Sequence, residues 1–164
     1  EHENPHLRFL ALKALVRVTP MGNKRAAEAL VLRLEDPEED VWREAAQSMS
    51  QVVHRGDSNV LALVIPLLMH RRPEVRRAAL QALPQVALVG EYRSINAVTA
   101  LLEDRDEKVR NVALKSLALL APEGRENLAL VASSAQRAIV AGSSRLGRPT
   151  PNGAAAGGKV GLRL

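Results

Sequence analysis

The chain has 164 residues, of which 46% are hydrophobic and 25% charged, with a formal net charge of +5 and only three aromatic residues. Because cysteine is absent, disulfide scaffolds, thiol catalysis and cysteine-ligated zinc sites are excluded. No apolar run exceeds six residues, far below the length of a membrane span. We therefore expect a helical, cytoplasmic protein that does not enter a membrane.

A step of 34 residues relates four successive stretches of the chain. Glycines recur with this spacing at Gly22, Gly56, Gly90 and Gly124. Four apolar columns recur in the same register, and their first members are Leu7, Ala11, Leu15 and Val18. These offsets of 0, 4, 8 and 11 mark one face of an α-helix, so we predict that all four columns are buried in every copy.

Each copy is predicted to contain a shorter helix, an acidic turn and a longer helix. The predicted order is one helix at 6–18, then pairs at 24–34 and 39–53, 58–70 and 73–88, and 92–103 and 107–121, then a degenerate helix at 126–140. We place each repeated glycine at the left-handed end of a longer helix, and polar residues such as Asp57 after it are suited to cap the next helix.

These elements predict an all-α fold, an α-solenoid of antiparallel helix pairs. The solenoid would occupy residues 1–141, as a half repeat, three full repeats and the degenerate last helix. Apolar faces at both ends are expected of a fragment of a longer array. Residues 142–164 are rich in Gly, Ser and Arg, and we predict a disordered tail there.

The repeats resemble HEAT repeats, in particular the short class shared with phycobilisome lyase-like proteins. The resemblance covers about residues 5–124 and rests on the pattern Asp104-x4-Val109-Arg110 with its copies. It implies a right-handed stack of helix pairs. As a signal of function it is weak, because one solenoid architecture supports many roles.

In that family an Asp and the Arg six residues later form a polar ladder between stacked repeats. The resemblance therefore implies a complete rung at Asp104 and Arg110. Trp42 replaces the Arg of one copy, and His70 replaces the Asp of another. We expect the ladder to be interrupted at those two repeats.

Two enzyme readings can be weighed against specific residues. The segment His2-Glu3-Asn4-Pro5-His6 matches the H-E-x-x-H zinc motif, but Pro5 begins the helix, so the histidines straddle a helix boundary and we interpret the match as accidental. Deoxyhypusine hydroxylases resemble this scaffold and bind iron through His-Glu pairs just after the Val-Arg, and no copy here carries such a pair. We predict no catalytic residue, metal or cofactor.

The outward side of the longer helices is the preferred candidate site. Longer helices line the concave face of such solenoids. With the four columns buried, offsets 2 and 6 point outward. We expect these basic and amide side chains to bind a protein or an acidic peptide, and a solvated face is the alternative. The strip comprises Lys13, Arg43, Gln47, Arg77, Gln81, Asn111 and Lys115. Trp42, beside it, is either a binding anchor or a core filler.

The charge distribution narrows the class of partner. Residues 125–164 contain six Lys or Arg and one acidic residue, which sums to +5, so residues 1–124 carry 17 of each sign and are neutral. Because the excess positive charge lies in the C-terminal segment, we do not expect nucleic acid as the partner.

We predict a non-catalytic scaffold for protein–protein interaction. The alternative is a family-related enzyme or lyase-like accessory, of the metal-dependent hydroxylase type, whose ligands are lost or lie outside this segment.

Overall fold

The computed structural model describes residues 4–121, and this part of the chain is helical throughout. Seven α-helices follow one another: α1 (Pro5–Val18), α2 (Lys24–Arg33), α3 (Glu39–Val52), α4 (Ser58–Leu67), α5 (Pro73–Val86), α6 (Tyr92–Ala100) and α7 (Glu107–Leu120). A short 3₁₀ helix, Leu101–Glu103, extends α6. The helix predicted at 126–140 and the tail predicted at 142–164 lie outside the described residues.

The helices form two layers. The longer helices pack side by side, α1 on α3, α3 on α5 and α5 on α7. Each shorter helix packs against the longer helix that follows it in the chain. The longer helices begin at residues 5, 39, 73 and 107, and the shorter ones at 24, 58 and 92, so corresponding helices start 34 residues apart. The predicted all-α solenoid of helix pairs is confirmed.

Side-chain caps define where the shorter helices begin. Asn23, Asp57 and Glu91 precede α2, α4 and α6, and the side chain of each accepts hydrogen bonds from backbone N–H groups of the first turn. These N–H groups have no partner within the helix, so the caps satisfy donors that would otherwise be unpaired. The capping role predicted for Asp57 is confirmed.

The repeated glycines do not end the longer helices, contrary to the prediction. Helices α1, α3 and α5 each end four residues earlier, and the residue after each helix is extended. Each glycine instead lies at the third position of a tight turn, where a positive φ is required, as in a type II turn. The φ angles are 83°, 83° and 81° at Gly22, Gly56 and Gly90.

These turns also join one repeat to the next. The backbone N–H of each glycine donates a hydrogen bond of 2.7 Å to the carbonyl of the last residue of the following longer helix. That carbonyl has no acceptor role within its own helix, so the bond satisfies it and fixes the stacking distance. The accepting residues are Val52, Val86 and Leu120.

The core follows the predicted columns in three of the four longer helices. All twelve column residues of α3, α5 and α7 are buried. In α1 the prediction is wrong: Leu7 is 46% and Val18 is 81% exposed. No described helix precedes α1 to cover this face, on which Leu15 is only half-buried against the core, and the fully buried residues of α1 are Leu12 and Val16.

Candidate partner-binding surface

All seven predicted binding residues lie at equivalent positions on the longer helices. Lys13 is on α1, and the others form pairs on α3, α5 and α7. Arg77 and Gln81 are half-buried, whereas the remaining five are exposed. The structure therefore presents a continuous strip across four neighbouring helices. We refer to these seven residues as the strip.

The strip continues one helical turn further than the sequence reasoning proposed. Arg17, Gln51 and Gln85 lie four residues beyond Lys13, Gln47 and Gln81 on the same helices, at offset 10 of the repeat. Arg17 and Gln51 are exposed, and Gln85 is half-buried. The i+4 spacing that relates the first two rows was the signal for this third row. It adds one cation and two amides to the surface.

Ion pairs join a longer helix to the acidic turn of the next repeat. Arg8 donates to both carboxylate oxygens of Asp36, at 2.8 Å each. Arg76 donates to both oxygens of Asp104, at 2.8 and 2.7 Å. These are planar, two-point pairs, the strongest form of arginine–carboxylate contact. Each arginine pairs with an aspartate 28 residues later in the chain.

The rung implied at Asp104 and Arg110 does not form in that way. Arg110 donates to the backbone carbonyls of Asp104 and Arg105, at 2.8 and 3.2 Å. The Arg110 side chain therefore contacts the turn of its own repeat. The Asp104 carboxylate instead accepts from Arg76 of the preceding longer helix. Arg76 makes the corresponding backbone bonds in its own repeat. Arg76 thus donates hydrogen bonds both to the turn of its own repeat and to the aspartate in the turn of the next repeat.

The carboxylates of these rungs stay ionised to lower pH than an ordinary aspartate does, because their pKa values are lowered. Burial alone raises the pKa of Asp36, but hydrogen bonds from Arg8 and from the Glu38 N–H outweigh it and lower the pKa below its ordinary value. The pKa of Asp104 is lowered against the same burial effect by Arg76 and the Asp106 N–H. Both rungs are therefore ion pairs at neutral pH.

The interruptions of the ladder that were expected at Trp42 and at His70 fall at one and the same rung. Since each rung joins a residue to another 28 positions later, Trp42 lies opposite His70. His70 Nδ1 accepts the backbone N–H of Arg72 at 3.1 Å, as Asp36 accepts that of Glu38 at the equivalent turn. His70 therefore preserves the turn of its repeat, and only the arginine–carboxylate pair is missing.

Trp42 occupies the place of the missing rung. Its residue exposure is 1%. The guanidinium carbons of Arg43 and Arg77 lie 5.7 and 5.5 Å from the ring centroid, within the range of cation–π attraction. Arg43 belongs to the same helix, and Arg77 to the neighbouring helix α5. The ring is a core residue, and it brings together two cations of the strip.

The amino-acid sequence of this helical array matches a known family of repeats. A family model of HEAT repeats matches residues 34–118 and residues 60–138. The chain belongs to the HEAT-repeat family. HEAT repeats commonly mediate protein–protein interaction and are generally non-enzymatic scaffolds. A search of curated proteins finds no match.

A groove opens between the first two longer helices of the HEAT array. Its volume is about 880 Å³. Lys13 and Arg17 of α1 line it together with Glu44, Ser48 and Gln51 of α3, and apolar side chains of α1 complete the lining. Ser48 donates to Glu44 at 3.2 Å. The groove is thus a polar-edged continuation of the strip at its N-terminal end.

The histidines of the HEAT array are scattered among the described residues. Within residues 4–121 no three His, Asp or Glu side chains are grouped so that they could hold a metal ion. His6 lies exposed in the first turn of α1, and His2 and Glu3 of the H-E-x-x-H segment lie outside the described residues. No helix in the described part of the chain is both long and apolar enough to cross a membrane.

Proposed function

We propose that this HEAT-repeat chain is a non-catalytic scaffold that binds a partner protein along the strip. The observation that carries the proposal is the row of cationic and amide side chains across four consecutive longer helices. None of the seven strip residues is acidic. Each further repeat adds one row to the same surface, which suits an extended segment of a partner.

The packing of the two layers supports a concave strip. The longer helices contact one another extensively along their layer, whereas α2 and α4 touch far less. Helices converge on the inner side of a bent stack and separate on the outer side. The closer packing of α1, α3, α5 and α7 is what a concave longer-helix layer requires.

The chemistry of the strip favours a partner segment with carboxylates. Arginine and lysine donate charge-assisted hydrogen bonds to carboxylates. Glutamine and asparagine carry both donors and acceptors, so they can pair with the backbone N–H and C=O groups of an extended chain. An acidic, extended peptide segment of another protein satisfies both kinds of side chain.

Charge reversal on the strip tests the proposal. The variant combines Arg43→Glu, Arg77→Glu and Lys115→Glu. A matched control combines Lys24→Glu, Arg25→Glu and Arg93→Glu, all exposed on the shorter helices, so both variants change the net charge equally. Affinity capture from cells that produce the protein, followed by binding titration of each recovered partner, gives the measurement. Thermal unfolding followed by circular dichroism checks that both variants fold.

We expect the control to keep the partners of the unaltered chain and the strip variant to lose them. Equal retention by both variants overturns the proposal that the strip is the binding surface. Stoichiometric iron or zinc in the purified, unaltered chain would instead support a metal-dependent activity.

A further inference from the structure

Arg43 and Arg77 share Trp42 but differ in their other partners. Arg43 forms an ion pair with Glu39, one turn earlier in α3. The residue equivalent to Glu39 in the next repeat is Pro73, which begins α5 and has no charge. Among residues 4–121, the guanidinium group of Arg77 has neither a hydrogen bond nor an ion pair, and its contact is with the Trp42 ring. Trp42 therefore holds one neutralised and one uncompensated cation.

Contact with the ring prepares Arg77 to bind a ligand. A guanidinium group over an aromatic face keeps its N–H donors, which lie in its own plane, available at its edges. An arginine that moves freely on a surface loses rotamer freedom when it binds, and a group held in place beforehand loses less. Arg77 is half-buried and lies in the middle of the strip. It combines unused donors with a restrained position.

We propose that Arg77 is the anchor of the strip, that it binds a single Asp or Glu carboxylate of an extended peptide, and that Trp42 is its positioning residue. This inference rests on the function proposed above. Gln81 lies one turn beyond Arg77 on α5 and Gln47 lies beyond Arg43 on α3. Their amides flank the anchor and pair with the backbone of the same peptide.

The charge at Trp42 favours a carboxylate over a phosphate. A phosphorylated side chain carries about −1.5 to −2 at neutral pH, and its binding sites usually contain several cations. Here Glu39 neutralises Arg43, so one positive charge is left at the ring. The described part of the chain pairs arginine with single carboxylates at Arg8 and Arg76. A monoanion matches the anchor.

The fluorescence of Trp42 gives a direct readout, because it is the only tryptophan of the chain. The full chain is titrated with a synthetic peptide of alternating Glu and Ser, with its Gln-for-Glu counterpart, and with a peptide in which phosphoserine replaces Glu. We expect a saturable change in emission with the Glu peptide, weakened by added salt, and none with the Gln peptide. Tighter binding of the phosphoserine peptide would overturn the assignment of a carboxylate.

Three single substitutions separate the anchor from its surroundings. Arg77→Gln removes charge-assisted hydrogen bonds and should weaken binding of the Glu peptide about tenfold or more. Arg43→Gln removes a cation that is already paired and should cause a smaller loss. Arg93→Gln, on the exposed side of α6, should leave the affinity unchanged. Equal losses from Arg77→Gln and Arg43→Gln would overturn the anchor.

A fourth substitution tests the anchor while keeping the arginine. Pro73→Glu gives Arg77 the acidic neighbour that Glu39 gives Arg43, at the first position of the helix, where an acid is well tolerated. We expect Pro73→Glu to weaken the Glu peptide several-fold with no loss of thermal stability. Unchanged affinity would contradict the inference, because a competing internal carboxylate should occupy the same donors.

The outcomes distinguish this inference from the proposed function. If partner binding is lost in the triple reversal of Arg43, Arg77 and Lys115 but survives Arg77→Gln, the strip binds the partner and Arg77 is not its anchor. If partner binding survives both, the strip itself is not the binding surface.

Discussion

Within residues 4–121 three junctions join the successive repeats, and two different chemistries hold them. The first and third junctions are closed by the ion pairs Arg8–Asp36 and Arg76–Asp104. The middle junction has Trp42 opposite His70 in place of an arginine–carboxylate pair, and His70 Nε2 lies 3.8 Å from Glu35 Oε2. All three share the glycine N–H bond to the next longer helix at 2.7 Å. The backbone bond therefore sets the stacking, and the side-chain rung can vary without changing it.

The difference between the junctions has a consequence at the surface. An ionic rung uses its arginine internally, because the guanidinium group faces a buried aspartate. The aromatic rung has no charge of its own and draws in Arg43 and Arg77 from the strip. Burying a ring is favourable in itself, whereas a buried ion pair recovers its desolvation cost only through good geometry. The middle junction thus combines apolar packing with cations placed on the outward face.

The largest expected effect is at the middle junction. Trp42→Ala should lower the free energy of unfolding by about 3–5 kcal/mol, because it leaves a cavity at a fully buried site and removes two cation–π contacts. Urea unfolding followed by circular dichroism measures it. Tyr92→Ala, at a residue 76% exposed, is the control. A loss from Trp42→Ala no larger than that of the control would show that the ring does not hold the junction.

Breaking an ionic rung should cost slightly less. Asp36→Ala removes the carboxylate that accepts two hydrogen bonds from Arg8, whose side chain is only 11% exposed, and breaking a buried ion pair of this kind costs about 3 kcal/mol. Glu28→Ala, which breaks the exposed pair with Lys24, should change stability by less than about 1 kcal/mol. If Asp36→Ala lowers the free energy of unfolding more than Trp42→Ala does, the predicted order is wrong and the ionic junction is the stronger one.

Substituting the turn glycines, whose N–H groups donate the shared backbone bond, should lower the free energy of unfolding by less. The size of this loss should differ between junctions. Gly56→Ala forces a side chain into a φ of +83°, and the added Cβ would lie 3.0 Å from Leu88, so we expect a loss of about 1–2 kcal/mol. Gly90→Ala has the same backbone strain with open space around the Cβ, so its loss should be smaller. Equal losses in chemical denaturation would show that backbone strain alone decides.

The smallest expected effect is a pH dependence of the free energy of unfolding that comes from the two ionic junctions and not from the aromatic one. The pKa values of Asp36 and Asp104 are lowered in the folded chain, so their stabilising effect is complete above the ordinary value of 3.8 and is lost as pH falls through the lower folded values. Each carboxylate contributes a slope of at most about 1.4 kcal/mol per pH unit in that range. The free energy of unfolding, measured from neutral to acidic pH, should depend less steeply on pH in an Asp36→Asn, Asp104→Asn double variant. An unchanged pH dependence would exclude these two ion pairs as its source.

The sequence pattern predicted the elements well where the forces are local. The bounds of α2, α3 and α7 differ from the predicted ranges by one residue at most, because apolar spacing and, for α2 and α7, side-chain caps act within one helix. The pattern failed for Leu7 and Val18, which repeat the buried columns but lie exposed on α1, the first described helix. Burial needs a partner surface, and periodicity alone does not supply one.

The strip was likewise predicted in part. Its seven residues follow from helical geometry once the buried columns are known. The third row, with Arg17, Gln51 and Gln85, lies one turn further along α1, α3 and α5 and follows from the same geometry. That Arg43 is neutralised by Glu39 could have been read from their i, i+4 spacing. That Arg77 reaches Trp42 could not, because the two lie on different helices.

The net charge of +5 and the 34-residue step are properties of the sequence alone, and with them come the helix pairs, the turns and the outward rows of the longer helices. Tertiary structure decided which arginine meets which aspartate, turned two expected interruptions into one, and placed Arg43 and Arg77 on one buried ring. The physical reason is range. Propensity, capping and periodicity act over a few residues, whereas a rung spans 28 residues of chain and exists only after the helices have stacked.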